Sequence, residues 1–571
     1  MIIPEKREKT VIVNNRNQLV DFYTNHKDDI WVGYNSRQYD QFILKGILCG
    51  FDPWKINNHL IKRGLSGYSF SSLLNKVFLI NYDVMPNPPV SLKTLEGFMG
   101  NNIKESDVDF RLQRKLTDAE IAETIEYCTH DVEQTIEVFL RRINEFNSHV
   151  QLIKTFHLPL SDMNKTQVQL SAKILECQRR NFNDEFEYPI IKTLRLKKYA
   201  FVKEWFENAP MNTTKEMKQK GLADKDKGAY AKYFYSRTLK ANICGVPHLF
   251  GWGGLHGAPK NPIHEKGLIL HVDVNSFYPS IMIVYDLLSR AVKDKGKYKY
   301  IYDYRLQLKA EGKKAEQAPY KIILNGTFGI AKDKYNPAYD PRNANAICVN
   351  GQLLLLDLLE HLEGYCELIQ SNTDGLIIKI PDTDRDFNNI DDICYEWESR
   401  TGMTLGLDVI HEIWQGDVNN YIWLDDKGGE RKGAYVKELN ALDYDLPIVN
   451  EAVVNYFTMG VHPEETINNC DRLIKFQKIV KLSGKYDYVM HNDRVYHYKC
   501  YRVFASKDGR DGKIYKCRKG NNPAKFGNTP DKCFIMNDDI TDIRTPRKLN
   551  KQWYIDLAKE RLYKKFGVEE V

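Results

Sequence analysis

Two apolar runs of this chain stop at an aspartate. Leu268–Val272 is apolar and contains β-branched residues, so it predicts a buried strand that stops at Asp273. Farther along, apolar runs flank the turn residues 371–375, which predicts a β-hairpin with Asp374 at its edge. An acidic residue where a buried strand ends can hold a metal ion. An Asp that merely caps the following helix gives the same local pattern.

A helical pattern lies between the two aspartates. Lys321, Asn325 and Phe328 recur at steps of four and three, so they share one face of a helix that we expect to end at Gly329. A lysine, an asparagine and an aromatic ring on one face are unusual for a core. This face suits a phosphate, a polar contact and a stacked base.

The first 150 residues have the alternation of an α/β domain. Residues 29–32 and 77–82 predict strands, and Ser91 is a candidate helix cap. Thr117 and Glu120 form the pattern of a capping box at the start of another helix.

Residues 151–250 are mainly helical in pattern, with a charged stretch at 215–227 that predicts an exposed loop. This region ends in a glycine-rich segment that contains Gly253 and Gly254. Glycines allow the backbone to approach a partner closely, and a glycine-rich turn between domains is the alternative interpretation. Phe250 and Trp252 are candidates for an aromatic contact there.

Composition narrows the class of protein. The 571 residues suffice for several domains, and 42% hydrophobic and 28% charged residues are ordinary for a globular protein. Runs of apolar residues are too short for a membrane span. Eleven scattered cysteines without a C-x-x-C pair favour free thiols over a zinc module. The net charge of +6 is too small to indicate nucleic-acid binding by itself.

Three motifs, in this order, resemble those of the family B DNA polymerases. The family patterns D-x-x-S-L-Y-P-S, K-x-x-x-N-S-x-Y-G and Y-x-D-T-D-S correspond to residues 273–280, 321–329 and 370–375. The chain departs from them at Gly326, where the family has Ser, and at Asn372, where it usually has Asp. Phe also replaces the usual Tyr of the second motif.

The resemblance implies a catalytic site in a polymerase palm. Asp273 and Asp374 would be the catalytic carboxylates and would bind two Mg²⁺ ions, with Mn²⁺ as an alternative, and Val274 would offer its carbonyl to one ion. Tyr278 would lie under the deoxyribose and exclude a 2′-hydroxyl. The residues implied in nucleotide binding are Ser276, Phe277, Tyr278, Arg305, Lys309, Lys321 and Asn325. Those implied in DNA binding are Gly253, Gly254, Phe328, Gly329, Lys432, Tyr435 and Lys437.

The segment between the first two motifs is short. It predicts a two-helix hairpin that would form the fingers, with Arg305 and Lys309 one helical turn apart. Protein-primed phage members of the family carry an insertion here, and this chain has no room for it. We therefore expect a nucleic-acid primer.

The N-terminal region resembles the 3′–5′ proofreading exonuclease of the same family. Its second and third motifs match at Asn35 with Asp40 and at Tyr127 with Asp131, and Ser91 with Leu92 resembles the motif that holds a frayed primer. The first motif, D-x-E, has no match before Trp31. We therefore expect weak or absent proofreading and an exonuclease domain that lacks its first strand, as in a truncated reading of a longer protein.

The C-terminal region predicts a DNA grip. From Arg472 to Lys525 basic residues outnumber acidic ones and tyrosines are interleaved, which suits contacts to phosphate and sugar, although a solvated lysine-rich face has the same pattern. The expected domains are an exonuclease-like domain (1–150), a helical connector (151–250), a first palm segment (251–295), fingers (296–335), a second palm segment (336–444) and a thumb (445–571).

The expected fold is therefore α+β and multidomain, with an RNase H-like α/β exonuclease domain before a right-hand polymerase with an antiparallel palm. The expected function is template-directed DNA synthesis from primer–template DNA and dNTPs. A catalytically weak primer–template binding protein with this fold is the alternative, and a lone nuclease is disfavoured by the missing motif. The compact layout is typical of phage or prophage proteins, so we expect a monomer in the cytoplasm of a bacterial host and no membrane association.

Overall fold

The computed structural model describes residues 2–3 (backbone only), 8–109, 112, 114–221, 227–381 and 383–569. The chain forms two compact units. Unit 1 contains Met1–Thr166, Glu438–Asn455 and Val461–Ala558, and unit 2 contains Gln167–Lys437, Tyr456–Gly460 and Lys559–Val571. None of the helices formed by the described residues combines the length and apolar composition that a bilayer-crossing segment needs.

The N-terminal region of unit 1 is mixed α/β. The strands β1 and β2 pair antiparallel, and β3 and β4 pair parallel, with Gly33 opposite Asp83. The predicted capping box at Thr117 is confirmed, since its hydroxyl accepts from the Glu120 amide and the Glu120 carboxylate accepts from the Thr117 amide. The elements are β1 (Ile2–Ile3), β2 (Glu8–Lys9), α1 (Arg16–His26), β3 (Ile30–Gly33), α2 (Asp40–Leu48), α3 (Pro53–Asn57), β4 (Ile80–Asp83), α4 (Leu92–Met99), α5 (Asp118–Arg141) and α6 (Ile143–Thr155).

Unit 2 is organised around a long antiparallel sheet. Its elements are α7 (Gln167–Ile174), α8 (Ala200–Gln219), α9 (Lys227–Ser236), β5 (Leu239–Ile243), β6 (Val246–Phe250), β7 (His256–Gly257), β8 (Ile263–Val274), α10 (Phe277–Val284), α11 (Lys295–Ala310), α12 (Lys314–Lys332), α13 (Pro341–Leu362), β9 (Glu367–Asn372), β10 (Gly375–Lys379), α14 (Asp384–Thr401), β11 (Leu405–Asp417), β12 (Asn420–Leu424) and β13 (Glu430–Lys432).

The sheet of unit 2 fixes the relative positions of the motifs. Among the described residues it has nine strands in the order β13-β12-β11-β8-β10-β9-β7-β6-β5, and neighbouring strands run antiparallel. The central strand β8 therefore lies between β10 and β11. Behind the first motif, the leucine run of α13 is buried, and a Cβ added to Gly351 would lie 3.3 Å from the Phe277 ring. Helix α13 therefore packs closely behind the first motif.

The C-terminal strands belong to unit 1. The remaining elements are α15 (Pro447–Met459), α16 (Pro463–Asn469), β14 (Lys478–Lys481), β15 (Tyr488–His491), β16 (Arg494–Tyr496), β17 (Cys500–Ala505), β18 (Tyr515–Cys517), β19 (Ala524–Lys525), β20 (Cys533–Ile535) and α17 (Lys551–Phe566). They form two sheets, β14-β17-β20 and β16-β15-β18-β19. The buried Arg502 of β17 donates to the carbonyls of Asn101 at 2.7 Å and Gly97 at 3.2 Å, which joins these strands to the end of α4.

Several predicted boundaries were wrong. Helix α12 continues past Gly329 to Lys332, because Ile330 and Ala331 extend its apolar face and are buried. Helix α8 extends to Gln219, into the stretch predicted as a loop. The predicted division into six domains stays a prediction.

Candidate active site

The structure brings Asp273 and Asp374 side by side. Strands β8 and β10 are antiparallel neighbours, with Gly375 opposite Asp273, and the Val274 amide donates to the Asp374 carbonyl at 2.8 Å. A Cβ added to Gly375 would lie 3.1 Å from the Asp273 Cβ, so a glycine at this position keeps the strands in register beside the carboxylate. Two residues a hundred positions apart therefore lie at one strand end.

The hairpin that carries Asp374 is held by the glycine-rich segment. The Thr373 amide donates to the Leu255 carbonyl at 2.8 Å. A Cβ added to Gly254 would lie 2.6 Å from the Thr373 Oγ1, so this close approach requires glycine. Asn372, the departure from the family pattern, is the last residue of β9 and is paired with His256 and Gly375. Gly254 thus supports the turn that presents Asp374, and its predicted contact with DNA remains a prediction.

Like charges converge on Asp273. Desolvation raises the pKa of the Asp273 carboxyl, and the nearby carboxylates of Asp374 and Asp408 raise it further. The charges of His271 and Lys309 act in the opposite direction. A carboxyl group whose pKa is raised by desolvation and by nearby like charges is typical of functional sites.

His271 and Asp408 are the residues that sequence reasoning missed. One ligand atom from each of His271, Asp273 and Asp408 lies within 4.8 Å of the others. His271 is directly opposite Asp408 in the β8–β11 pairing. The signal was present in the sequence, because His271 lies two residues before Asp273 and strand alternation places both on the same face.

The two-helix hairpin of α11 and α12 supplies cations next to this site. The Arg305 Nη1 donates to the Ser276 Oγ at 2.9 Å, and Ser276 adopts a left-handed φ of 50° at the start of α10. Lys309, one turn further along α11, is exposed and lies close enough for its charge to act on Asp273. Lys321 and Asn325 are both exposed, and they share one face of α12, as the helical spacing predicted.

Two aromatic rings from the first two motifs contact each other. The Tyr278 and Phe328 ring centroids are 4.5 Å apart, and the Phe277 ring lies buried 5.7 Å from that of Tyr278. Desolvation raises the pKa of the Tyr278 hydroxyl, so this group stays protonated. A Cβ added to Gly329 would meet no atom within 4 Å, which leaves open space at this end of the helix face.

The aromatic candidate Phe250 was wrong, whereas the predicted DNA contact of Trp252 stays a prediction. Phe250 is fully buried, so its ring cannot contact a template strand. The Trp252 indole donates to the Phe234 carbonyl at 3.0 Å, and its ring lies 4.1 Å from the Phe234 ring inside an aromatic cluster. The burial of Phe250 explains the correction, and sequence alone did not reveal the aromatic cluster that Trp252 joins.

The residues predicted to contact the primer are grouped around Tyr435. This ring lies 5.2 Å from the Arg561 guanidinium and 5.4 Å from the Lys565 ammonium, both on α17. The Lys432 ammonium lies 5.8 Å from the Tyr421 ring, and Lys437 is exposed. The structure therefore adds Arg561 and Lys565 to the basic residues at this position.

The exonuclease-like motif residues lie in unit 1, where one carboxylate has a lysine partner. The Lys93 ammonium lies 2.5 Å from an Asp131 carboxylate oxygen and 2.8 Å from one of Glu96, and 4.7 Å from the Tyr127 ring centroid. Glu96 is fully buried. Asp131 and Glu96 therefore share the single positive charge of Lys93.

The other exonuclease-like residues have local roles. Asn35 adopts a left-handed φ of 57°, and its amide donates to the Asp83 carboxylate at 2.9 Å. Ser91 precedes Leu92 at the start of α4 and its hydroxyl bonds to that of Thr94 at 2.7 Å. Desolvation raises the pKa of Asp40 to about 6, and the Asp83 charge adds to that effect. Among the described residues, no group of three or more metal-binding side chains includes Asp40 or Asp131.

No sequence-family model matches the chain, and no curated protein matches it in sequence. A family B DNA polymerase from the hyperthermophilic archaeon Pyrobaculum calidifontis is a structural neighbour, with a TM-score of 0.41 and 15% identity, over 99% of this chain and 73% of that one. A similarity this low supports no conclusion about the function of this chain.

Proposed function

We propose that the chain is a template-directed DNA polymerase that adds dNTPs to a primer 3′ end by two-metal phosphoryl transfer. The observation that carries this proposal is that Asp374, in the turn that leads into β10, lies beside Asp273 near the end of the paired strand β8. Phosphoryl transfer depends on positioning and charge stabilisation more than on covalent chemistry, so two converging carboxylates beside a cationic helix hairpin are the required parts.

The carboxylates fit a pair of Mg²⁺ ions, with Mn²⁺ as an alternative. Carboxylate oxygens are the hard donors that Mg²⁺ prefers. Desolvation first, and then the charges of Asp374 and Asp408, raise the pKa of Asp273, and a bound dication would favour its ionised form. Asp273, Asp374 and the Val274 carbonyl would hold the ions. When bound, the ions would neutralise charge on the attacking, leaving and transferred phosphate oxygens.

The residues around this pair would bind the incoming nucleotide. Lys309 and Lys321 are exposed and free to reach a triphosphate, whereas Arg305 would leave its bond to Ser276 or share it. Tyr278, backed by Phe277 and Phe328, presents a ring that would exclude a ribose 2′-hydroxyl. Asn325, on the same helix face, would contact the nascent base pair.

Primer–template DNA is the proposed partner. Gly253, Gly254, Phe328 and Gly329 would border the template and nascent pair, and Lys432, Tyr435 and Lys437 the primer. Arg561 and Lys565 beside Tyr435 support a phosphate contact there. We propose a nucleic-acid primer, weak or absent proofreading, a monomeric state, a phage or prophage origin and activity in a bacterial host's cytoplasm.

A second candidate is a primer–template binding protein with little catalytic activity. Asn372 favours this candidate, because it replaces a carboxylate in the hairpin that presents Asp374. Its side chain cannot bridge metal ions as a carboxylate does. In this alternative, the protein would bind primer–template DNA through the same residues but would not catalyse nucleotide addition.

Primer extension on a defined primer–template with Mg²⁺ and dNTPs tests the proposal. We expect template-dependent extension by the wild type and a loss of about a thousandfold for Asp273→Ala and for Asp374→Ala. Asp286→Ala is the matched control, because that exposed carboxylate pairs with Lys295 at 2.6 Å and should leave extension within about twofold. Tight DNA binding by an inactive wild type would favour the second candidate.

A further inference from the structure

Three side chains on β8 and β11 lie close enough to share one metal ion. Ligand atoms of His271, Asp273 and Asp408 are all within 4.8 Å of one another. We propose that they form a binding site for a transition-metal dication of the Zn²⁺ or Co²⁺ type. This site would share Asp273 with the proposed Mg²⁺ pair and would not use Asp374.

The strand register builds this site. In the antiparallel pairing of β8 with β11, His271 is opposite Asp408 and Asp273 is opposite Gly406. Side chains two residues apart on a strand share a face, so the three ligands project from one face of adjacent strands. A Cβ added to Gly406 would lie 2.8 Å from the Asp273 Oδ1, so glycine leaves the carboxylate room at this position.

The donor set selects the metal. One imidazole nitrogen with two carboxylate oxygens suits Zn²⁺ or Co²⁺, whereas Mg²⁺ prefers oxygen ligands alone. Ligand atoms around a tetrahedral Zn²⁺ lie about 3.4 Å apart at metal–ligand distances of about 2.1 Å. Small side-chain rotations would close the set from its present spacing. The Trp423 ring, 5.2 Å from that of His271, limits the imidazole's freedom and reduces the ordering needed on binding.

One cation already competes for the site. The Lys427 ammonium lies 3.0 Å from an Asp408 carboxylate oxygen, but its side chain is 82% exposed. Exposed ion pairs contribute little free energy, so a dication with three ligands displaces the ammonium. Lys427→Met should therefore tighten metal binding by a few fold.

The consequence for catalysis rests on the proposed function. A Zn²⁺ ion held by His271 and Asp408 draws the Asp273 carboxylate away from the Mg²⁺ pair. Zn²⁺ would then inhibit primer extension in the presence of excess Mg²⁺. Metal binding itself does not depend on the chain being a polymerase.

A Co²⁺ titration followed by visible absorption tests the site, with Zn²⁺ competition giving the affinity. We expect one site per chain with the absorption of a nitrogen–oxygen ligand set, and at least tenfold weaker binding by His271→Ala and Asp408→Asn. Asp374→Asn should retain the site. The matched control is His411→Ala, because His411 also lies on β11 and pairs with Asp426 at 2.7 Å, outside any three-ligand group of the described residues.

The outcomes separate this proposal from the proposed function. Equal Co²⁺ affinity of the wild type and His271→Ala overturns the site, whether or not the wild type extends primers. An equal loss in His411→Ala also overturns it, because binding would then be non-specific. Co²⁺ binding that needs His271, in a chain that does not extend primers, supports the site and rejects the polymerase.

Discussion

Carboxylates occur in two settings in this chain, and the settings differ in what compensates their charge. In unit 2, desolvation raises the pKa of Asp273, and the charges of the nearby Asp374 and Asp408 raise it further. In unit 1, Asp131 is paired with Lys93 at 2.5 Å. Neighbouring carboxylates that repel one another raise the free energy of the metal-free protein, whereas a carboxylate with a lysine partner is already stabilised.

Asp83 in unit 1 and Asp374 in unit 2 differ in the same way. Asp83 in unit 1 accepts from the backbone amides of Asn35, Arg37 and Met85, at 2.9 to 3.0 Å, so it holds a turn. Asp374 in unit 2 lies exposed at the tip of a hairpin that its own backbone and a glycine-rich segment hold. The comparison indicates that Asp83 and Asp131 serve the structure of unit 1, whereas Asp273 and Asp374 in unit 2 are available to a ligand.

The largest expected effect concerns the 3′ end of a primer. If the comparison is correct, the protein extends a labelled primer with dNTPs but trims its 3′ end at least about a hundredfold more slowly than it extends it, in Mg²⁺. The reason is that Lys93 forms an ion pair with the Asp131 carboxylate, which would otherwise bind metal. In addition, the first exonuclease motif has no match in the sequence. Efficient trimming that is lost in Asp131→Asn would show that the lysine pair opens and that unit 1 is a nuclease.

The next effect concerns sugar selection beside the converging carboxylates. Tyr278→Val should raise ribonucleotide insertion relative to deoxyribonucleotide insertion by about a hundredfold, because the ring that would meet a 2′-hydroxyl is removed. Tyr278→Phe is the matched control and should keep the discrimination, since its ring is unchanged. Unaltered discrimination in Tyr278→Val would remove this residue from the nucleotide site. Single-nucleotide insertion kinetics with each substrate give the ratio.

A stability measurement tests the lysine pair of unit 1. Lys93→Met leaves the fully buried Glu96 and the Asp131 carboxylate without their cation, so we expect a loss of about 3 kcal/mol in local stability. Hydrogen exchange of the amides in α4 and α5 measures it. Lys104→Met removes an exposed pair with Glu126 and should cost less than about 0.5 kcal/mol. Equal losses of stability in the two variants would show that the burial of Glu96 does not strengthen the contribution of Lys93.

The smallest effect is the pH dependence of the metal-free protein. Because the pKa of Asp273 is raised in the folded state, its ionised form opposes folding. This cost is absent well below the ordinary carboxyl pKa, grows as pH rises from that value to the raised one, and is constant above it. In the presence of EDTA at neutral pH, Asp273→Asn should therefore unfold at a midpoint about 1 to 2 °C higher than the wild type. A lower midpoint would show that Asp273 is stabilised rather than repelled. Thermal scans at several pH values measure the difference.

Local sequence patterns predicted much of the site, because its components lie in short regular elements. The apolar run before Asp273, the hairpin at Asp374 and the helix face of Lys321 each follow from alternation or helical spacing. These patterns predicted the strands, the hairpin and the two-helix hairpin near their observed positions, with errors at ends such as Lys332.

Contacts between distant segments could not be predicted in this way. Asp408 meets His271 only through the register of β11 with β8, and the aromatic cluster that covers Trp252 comes from separate helices. The position of Lys93 against Asp131 likewise depends on how α4 and α5 pack, which spacing within either helix does not specify. Register and packing are properties of the folded chain, so they required the structure.

The central claim is that Asp273 and Asp374 together bind a pair of divalent cations. Anomalous diffraction from crystals with Mn²⁺, primer–template DNA and a non-hydrolysable dNTP tests it most directly. We predict two manganese peaks, each bound by an oxygen of Asp273 or Asp374 and at least one bound by both residues. The same map with both residues free of manganese, or with manganese on only one of them, would contradict the claim.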